Sequence, residues 1–413
     1  MNRAAVVLIA AHVLSMVGFA TYSALLPELR DLWGLSNAQA GMIGSAFFVG
    51  YTATVSYWTA LTDRTDGRRV YLAGCLLATA GAAGFGLAAH GLAGAMLFQV
   101  LLGAGVAGTY MPGLRLLSDR TAGPSQSRYI AFYTSFFGIG FALSLALAGA
   151  LAPAFGWRAA FVVSAAGPLA AGMLVLSSIA KATSESKPAG AFSLATLFPV
   201  ASWRRVIASR AAAGYTLGYV AHCIELFGSR GWMVAFLAYA AGLQAAGEAF
   251  PWNFAAIAAA VNLFAVPASI VGNEIALRIG RRQWIQIAMF GSGACGIVLA
   301  FAGPLHWAIV IALLIVYSML VMAESATLTA GLVAAAPVEL RGAALGLYSL
   351  AGFAGGMLGP SLFGVALDMA GGKASATAWA WAYGAIGAGC LVSPLVVRLF
   401  ARGDNARARS SLS

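Results

Sequence analysis

Charge is what this sequence has least of. Only 9% of its residues are Asp, Glu, Lys or Arg, against roughly 25% in a soluble domain. So few charges cannot clothe 413 residues in a water-facing surface, which excludes a soluble enzyme and a disordered chain alike. Cysteine is nearly as scarce. Cys75, Cys223, Cys295 and Cys390 each lie inside an apolar run, with no spacing that suits a metal site or a Cys-x-x-Cys pair. They read as small apolar packers, so a disulfide scaffold is excluded and no metal or cofactor is expected. Two catalytic signatures are also missing. Without a Gly-x-x-x-x-Gly-Lys-Ser/Thr loop, ATP is not the energy source, and without Gly-x-Ser-x-Gly there is no serine nucleophile elbow.

What fills the space is hydrophobic residue, 61% of the chain. At about 20 apolar residues per membrane-spanning helix, that is material for about twelve spans. Apolar stretches lie near 4–28, 40–62, 70–90, 92–118, 129–152 and 158–180, then near 208–240, 252–277, 284–303, 306–335, 343–367 and 376–400. The first is longer than a signal-peptide core and reads as a membrane helix. The expected fold is therefore an all-α integral membrane protein of twelve transmembrane helices. Its parts are a six-helix bundle over 1–180, a polar linker over 181–205, a second bundle over 206–402 and a tail over 403–413. The 50 glycines recur inside the helices, where small residues let backbones approach closely in lipid.

The positive charges fix the expected orientation. If the chain starts inside, cytoplasmic loops, linker and tails hold 19 Lys and Arg and the outer loops hold Arg30, Arg158 and Lys373. That bias places both termini in the cytoplasm. The net charge of +11 then reports topology, and nucleic acid is not an expected partner.

The first inner loop reads Ala60-Leu-Thr-Asp63-Arg64-Thr-Asp-Gly67-Arg68-Arg69. It resembles the loop motif Gly-x-Leu-Ala-Asp-Arg-x-Gly-Arg-Arg of the major facilitator superfamily. It departs at Thr59 and Thr62 and by one extra residue before Gly67. The matching loop of the second half reads Asn273-Glu-Ile-Ala-Leu-Arg278-Ile-Gly280-Arg281-Arg282, and Gly156-Trp157-Arg158 resembles the family's turn into the sixth helix. The resemblance covers the whole chain. It implies two pseudo-symmetric bundles rocking about a central site. It also implies that Asp63 meets the N-terminus of the eleventh helix near Arg341-Gly342, a gate built on the helix dipole. The alternative is that these charges only enforce topology. Two other family patterns are absent: Gln99 stands where an exporter-type arginine would be, and the fifth helix lacks the antiporter glycine–proline pattern. The arginines of nitrate porters are also missing from the second and eighth helices.

Ionisable residues inside membrane helices are costly and are functional candidates by default. Away from helix ends these are His12, Arg115, His222, Glu225, Arg230 and Glu324. All lie in the first, fourth, seventh and tenth segments, which the resemblance implies line the central cavity. At 100° per residue, Tyr215, Tyr219, His222, Glu225 and Ser229 form one polar stripe. His12, Ser15, Phe19 and Tyr22 form another, and Tyr317, Glu324 and Thr327 a third. The expected pathway is thus His12, Tyr22, Tyr110, Arg115, Tyr215, Tyr219, His222, Glu225, Arg230, Tyr317 and Glu324. Plainer readings stand beside it. His222 can be a bonded core histidine, Glu225 can pair with Arg230 or Arg115, and Arg115 can snorkel or pair with Asp119. Pro112-Gly113 is expected to loosen the fourth helix.

The function expected is secondary active transport of a small organic solute, with an organic anion favoured by the buried arginines and histidines. Proton-coupled symport through Glu225 or Glu324 is expected across the cell (inner) membrane, by a functional monomer held in the lipid bilayer. The rivals are a proton-coupled exporter of drugs or metabolites and a transporter-derived sensor.

Overall fold

The structure is a computed structural model that describes residues 2–121, 124–181, 197–245 and 248–393. Expectations for Lys187, Arg398, Arg402, Arg407, Arg409 and the tail lie outside them. Among the described residues there is no strand. A chain this apolar must satisfy its backbone internally in lipid, and helix is the way to do so without closing a barrel.

The helices are α1 (Arg3–Ser15), α2 (Thr21–Leu32), α3 (Asn37–Thr62), α4 (Gly67–Ala88), α5 (Gly91–Ser118), α6 (Pro124–Ser164) and α7 (Ala166–Ser178) in the first half. The second half holds α8 (Val200–Ala208), α9 (Arg210–Ala241), α10 (Phe254–Ile279), α11 (Arg281–Ala300), α12 (Trp307–Ala323), α13 (Ser325–Ala335), α14 (Arg341–Met369) and α15 (Ala376–Leu391). All twelve apolar stretches are largely helical over their described residues. Seven helical stretches are by themselves long and apolar enough to cross a membrane. The others fall short for visible reasons: α3 is diluted by Ser, Thr and Tyr, α9 carries buried charges, and the first stretch is divided at residues 16–20.

Helix starts carry side-chain caps that follow from sequence. Ser36 and Gln39 form a capping box on α3, and Asn253 and Ser375 cap α10 and α15, each satisfying backbone N–H groups with no intrahelical partner. Gly156 breaks α6 with φ +83, the turn expected before Trp157.

The interval 181–205 includes the start of α8 at Val200. Two expectations are corrected. The stretch 306–335 is two helices meeting at Glu324. Pro112-Gly113 does not interrupt α5; the Tyr133 hydroxyl donates to the Tyr110 carbonyl at 3.1 Å in that turn, holding it helical.

In the first half α5 packs on α3 and α4, and α7 on α1 and α4. In the second, α9 packs on α14, α11 on α15 and α10 on α12. The halves meet along α3–α14, α6–α10 and α2–α9. Between α3 and α14 the polar contacts run from Asn37–Asp368 to Ser45–Ser361, all toward one end of the pair. At the opposite end Gly342 and Gly346 have open space where a side chain would be.

Candidate functional site

The second-half stripe assembles a buried acid cluster. On α9, His222 and Glu225 are three residues apart and so share a face. His222 Nδ1 lies 2.9 Å from Glu324 Oε1, both residues essentially without solvent exposure. Glu324 sits where α12 gives way to α13, and Trp284 Nε1 donates to the adjacent Ala323 carbonyl at 3.0 Å. The second Glu324 oxygen has no hydrogen-bond partner. Glu225 accepts from Ser292 Oγ at 2.7 Å and from the Tyr317 hydroxyl at 3.3 Å. Tyr219 stacks on Tyr348 at 3.8 Å between ring centroids, with His222 beyond it at 5.7 Å. Two buried carboxylates held by one histidine and two hydroxyl-bearing side chains, Ser292 and Tyr317, are groups that can take up or release protons while staying fixed in place.

Arg230 points away from this cluster. Its guanidinium lies over the Phe141 ring at 5.0 Å and within 3.6 Å of Met322 Sδ, and it pairs with no carboxylate among the described residues. The alternative pairing of Glu225 with Arg230 is not seen among the described residues, consistent with their separation of about 140° on a regular helix. Arg230 instead lines a residual cavity of about 30 Å³ walled from the first half by Phe19, Tyr22, Phe48, Gln99 and Phe141 and from the second by Phe227 and Pro360. The Tyr22 hydroxyl donates to the Ala40 carbonyl at 2.8 Å.

The remaining expected residues fall elsewhere. His12 is buried and stacks on Tyr133 at 4.2 Å, with Tyr110 at 5.3 Å, and neither ring nitrogen has a hydrogen-bond partner. Tyr215 lines a separate apolar cavity of about 260 Å³ with Met289 and Leu328, not the acid cluster. Arg115 pairs with Asp63, and more loosely with Asp119 at 3.9 Å. Asp63 is thereby turned into its own half, and α14 has open space at Gly342 and Gly346.

The loop motif residues do local work. Asp66, the extra residue in the motif, caps α4 by accepting from Arg68 N at 3.0 Å. It also grips the Arg68 guanidinium, whose Nη1 reaches the Ile179 carbonyl at 2.9 Å. The guanidinium of Arg68 holds the Asp66 carboxyl below the usual carboxylate range. Gly67 opens α4, Arg69 is exposed, and Arg64 lies in the turn before them. In the second loop Gly280 has φ +97 between α10 and α11, a conformation that favours glycine. Arg278 is exposed and Arg281 half-buried.

Sequence reasoning missed Ser292, Tyr348 and Asp368. Ser292 lies between two glycines in an apolar run, which was a readable signal, whereas Asp368 was set aside as a helix-end residue.

The pattern of the Major Facilitator Superfamily matches residues 8–360. The chain belongs to that superfamily. This chain is 29% identical over 139 residues to the niacin transporter NiaP of Acinetobacter baylyi, covering 34% of this chain and 31% of that one. It is 24% identical over 143 residues to the putative niacin/nicotinamide transporter NiaP of Bacillus subtilis, covering 35% and 36%. The chain thus spans about a third of the length of these relatives. Its fold matches the crystal structure of a bacterial homolog of the human lysosomal transporter Spinster in an inward-facing, unoccupied conformation. There the TM-score is 0.74 at 15% identity, over 97% of this chain and 95% of that one. It also matches a POT family transporter in complex with 5-aminolevulinic acid, with a TM-score of 0.75 at 12% identity, over 98% and 97%.

Proposed function

We propose that this chain is a proton-coupled symporter that carries a small organic anion across the cell membrane by alternating access between its halves. On this reading residues 1–180 and 206–402 are the moving bundles and 181–205 connects them. Both termini are cytoplasmic, so the Asn37–Asp368 end faces outward and the Asp63–Arg341 end inward. The observation that carries the reading is Arg230, a buried cation without a carboxylate, placed in the cavity that both halves wall. A charge held in low dielectric needs a partner, and an anionic solute supplies it. The relatives named as niacin transporters make nicotinate the first solute to try.

The acid cluster is the proposed coupling site. The His222–Glu324 pair holding one proton is neutral overall, and the free Glu324 oxygen leaves room to bind another. Glu225, with two donors already on it, is the second candidate.

Purified protein in proteoliposomes should accumulate labelled nicotinate when only an inward proton gradient is supplied. Glu324→Gln should abolish that accumulation yet spare exchange of nicotinate across the membrane, which moves no net proton. Glu225→Gln tests the other acid in the same way. Accumulation surviving in both variants would remove these acids from coupling. Uptake of no solute in the presence of saturable binding would favour the sensor, and proton-driven efflux the exporter.

A further inference from the structure

We infer that Arg230 and Gln99 are the two jaws of a carboxylate clamp, and that the solute is a flat aromatic monocarboxylate. This rests on the transport reading only for what the clamp serves, since the geometry concerns binding alone. Arg230 reaches the cavity from α9 and Gln99 from α5, so one ligand group there touches both halves. Both side chains are buried, at 6% and 2% exposure. Gln99 Nε2 is a buried donor with no hydrogen-bond partner, and Arg230 has its five N–H donors served by no carboxylate among the described residues. Buried donors left unmade are costly and uncommon in native proteins. An orphaned amide on one wall and a guanidinium with no carboxylate among the described residues on the other point to an acceptor that arrives from outside.

The acceptor's charge follows from the count of charges. Among the described residues Arg230 is the only charged one on the cavity wall, so one negative charge is matched and a second would be stranded. The carboxylate suits the donors: the guanidinium presents a planar fork, and an amide N–H₂ from the opposite half completes the coordination.

The rest of the wall sets the body of the ligand. Phe48 and Phe227 face each other across the two halves at 4.5 Å between centroids. Phe19 meets Phe141 at 5.5 Å edge to face, and Phe141 already carries the guanidinium on its ring. Rings in this arrangement accept another ring by offset or edge-on contact. At about 30 Å³ the cavity holds about one water, so the rings have closed on one another and must part to admit the solute.

The test is equilibrium binding to the purified full-length chain by calorimetry, with benzoate, nicotinate, nicotinamide and butyrate as probes. Benzoate and nicotinate should bind saturably, with nicotinamide and butyrate at least about tenfold weaker. Arg230→Gln and Gln99→Leu should each weaken benzoate about 10- to 100-fold. Should either fail to fold, Gln99→Glu gives Arg230 an internal partner, so it should keep or raise the melting temperature of the free protein while abolishing benzoate binding. The clamp is overturned if nicotinamide matches nicotinate, if butyrate matches benzoate, if the variants bind as the native chain does, or if no carboxylate binds. Nicotinate accumulation that survives Gln99→Glu leaves transport standing and removes the clamp. Arg230-dependent benzoate binding without flux in vesicles leaves the clamp standing and removes transport.

Discussion

The two ends of the α3–α14 pair are built alike and used differently. At one end the Asp368 carboxylate accepts from the backbone N–H of Asn37 at 3.2 Å and Ala38 at 2.7 Å and from Asn37 Nδ2 at 2.7 Å. An acid on α14 thus sits on the N-terminus of α3, where unsatisfied N–H groups and the helix dipole favour a negative charge. At the other end the roles are exchanged: Asp63 closes α3 and the N-terminus of α14 has no side-chain cap, yet Asp63 is paired with Arg115 of its own half. An acid on each helix faces the N-terminus of the other, and only one of the two contacts is made. On the proposed alternating-access reading, closure at one end and release at the other are one event. Asp63 then has a local partner to fall back on, and Asp368 has none of its own half among the described residues.

The change expected to break this asymmetry most is Gly41→Val. A Cβ on Gly41 would stand 2.3 Å from the Pro360 carbonyl oxygen and 3.0 Å from Ser361 Cα. Overpacking on backbone costs about 3 kcal/mol, so the Asn37–Asp368 end should be forced open. A cysteine at Ser45, on a background with the four native cysteines replaced, reads this out. It should pass from protected to labelled by an impermeant thiol reagent from outside. Continued protection would mean that the α3–α14 contact does not hold that end shut.

Asp368→Asn should act in the same direction and less strongly. It keeps the shape and one acceptor but removes the charge from the N-terminus of α3, a loss of about 1 kcal/mol at this exposed site. The Ser45 cysteine should then label at an intermediate rate, and more so at low salt than at high, since the contact is exposed and screened. A rate equal to that of the native chain would reduce Asp368 to a surface residue.

These contacts also mark how far the sequence could be read. Twelve apolar stretches and a charge bias are summed over hundreds of residues, and nearly every stretch is helical where expected. The stripe on α9 was likewise legible, because His222 and Glu225 differ in type from everything around them. Their partners were not. Which of Arg230, Ser292 or Glu324 faces them depends on how five helices pack, and helical periodicity constrains only one helix at a time. The pairing of Glu225 with Arg230 was an alternative only, since about 140° around the helix separates them. The structure gives Glu225 a serine and a tyrosine and leaves the arginine for the cavity. Gln99 was visible only as the failure of a motif, and became informative once its amide was seen to have no partner. Asp63 was assigned to the right helix end, and its Arg115 partner in this arrangement was not legible, because a sequence carries no record of which conformation is populated.

The smallest effect, and the one of opposite sign, is expected from Asp63→Asn. In this structure Asp63 and Arg115 are 55% and 41% exposed, and exposed ion pairs contribute about 0–1 kcal/mol, screened by salt. An asparagine at 63 still accepts a hydrogen bond from Arg115, so little is lost while the Asp63–Arg341 end is open. When the halves close at that end, the residue would face the uncapped N-terminus of α14 out of water. There the charge contributes about 0.3–1 kcal/mol, and the neutral side chain forfeits most of it. The net shift is therefore a few tenths of a kcal/mol toward the arrangement seen here. Labelling of the Ser45 cysteine should fall slightly below the native rate, where Asp368→Asn raises it, and the double variant should lie between the two. Shifts of the same sign in both variants would show that the two acids do not stand on opposite sides of one equilibrium.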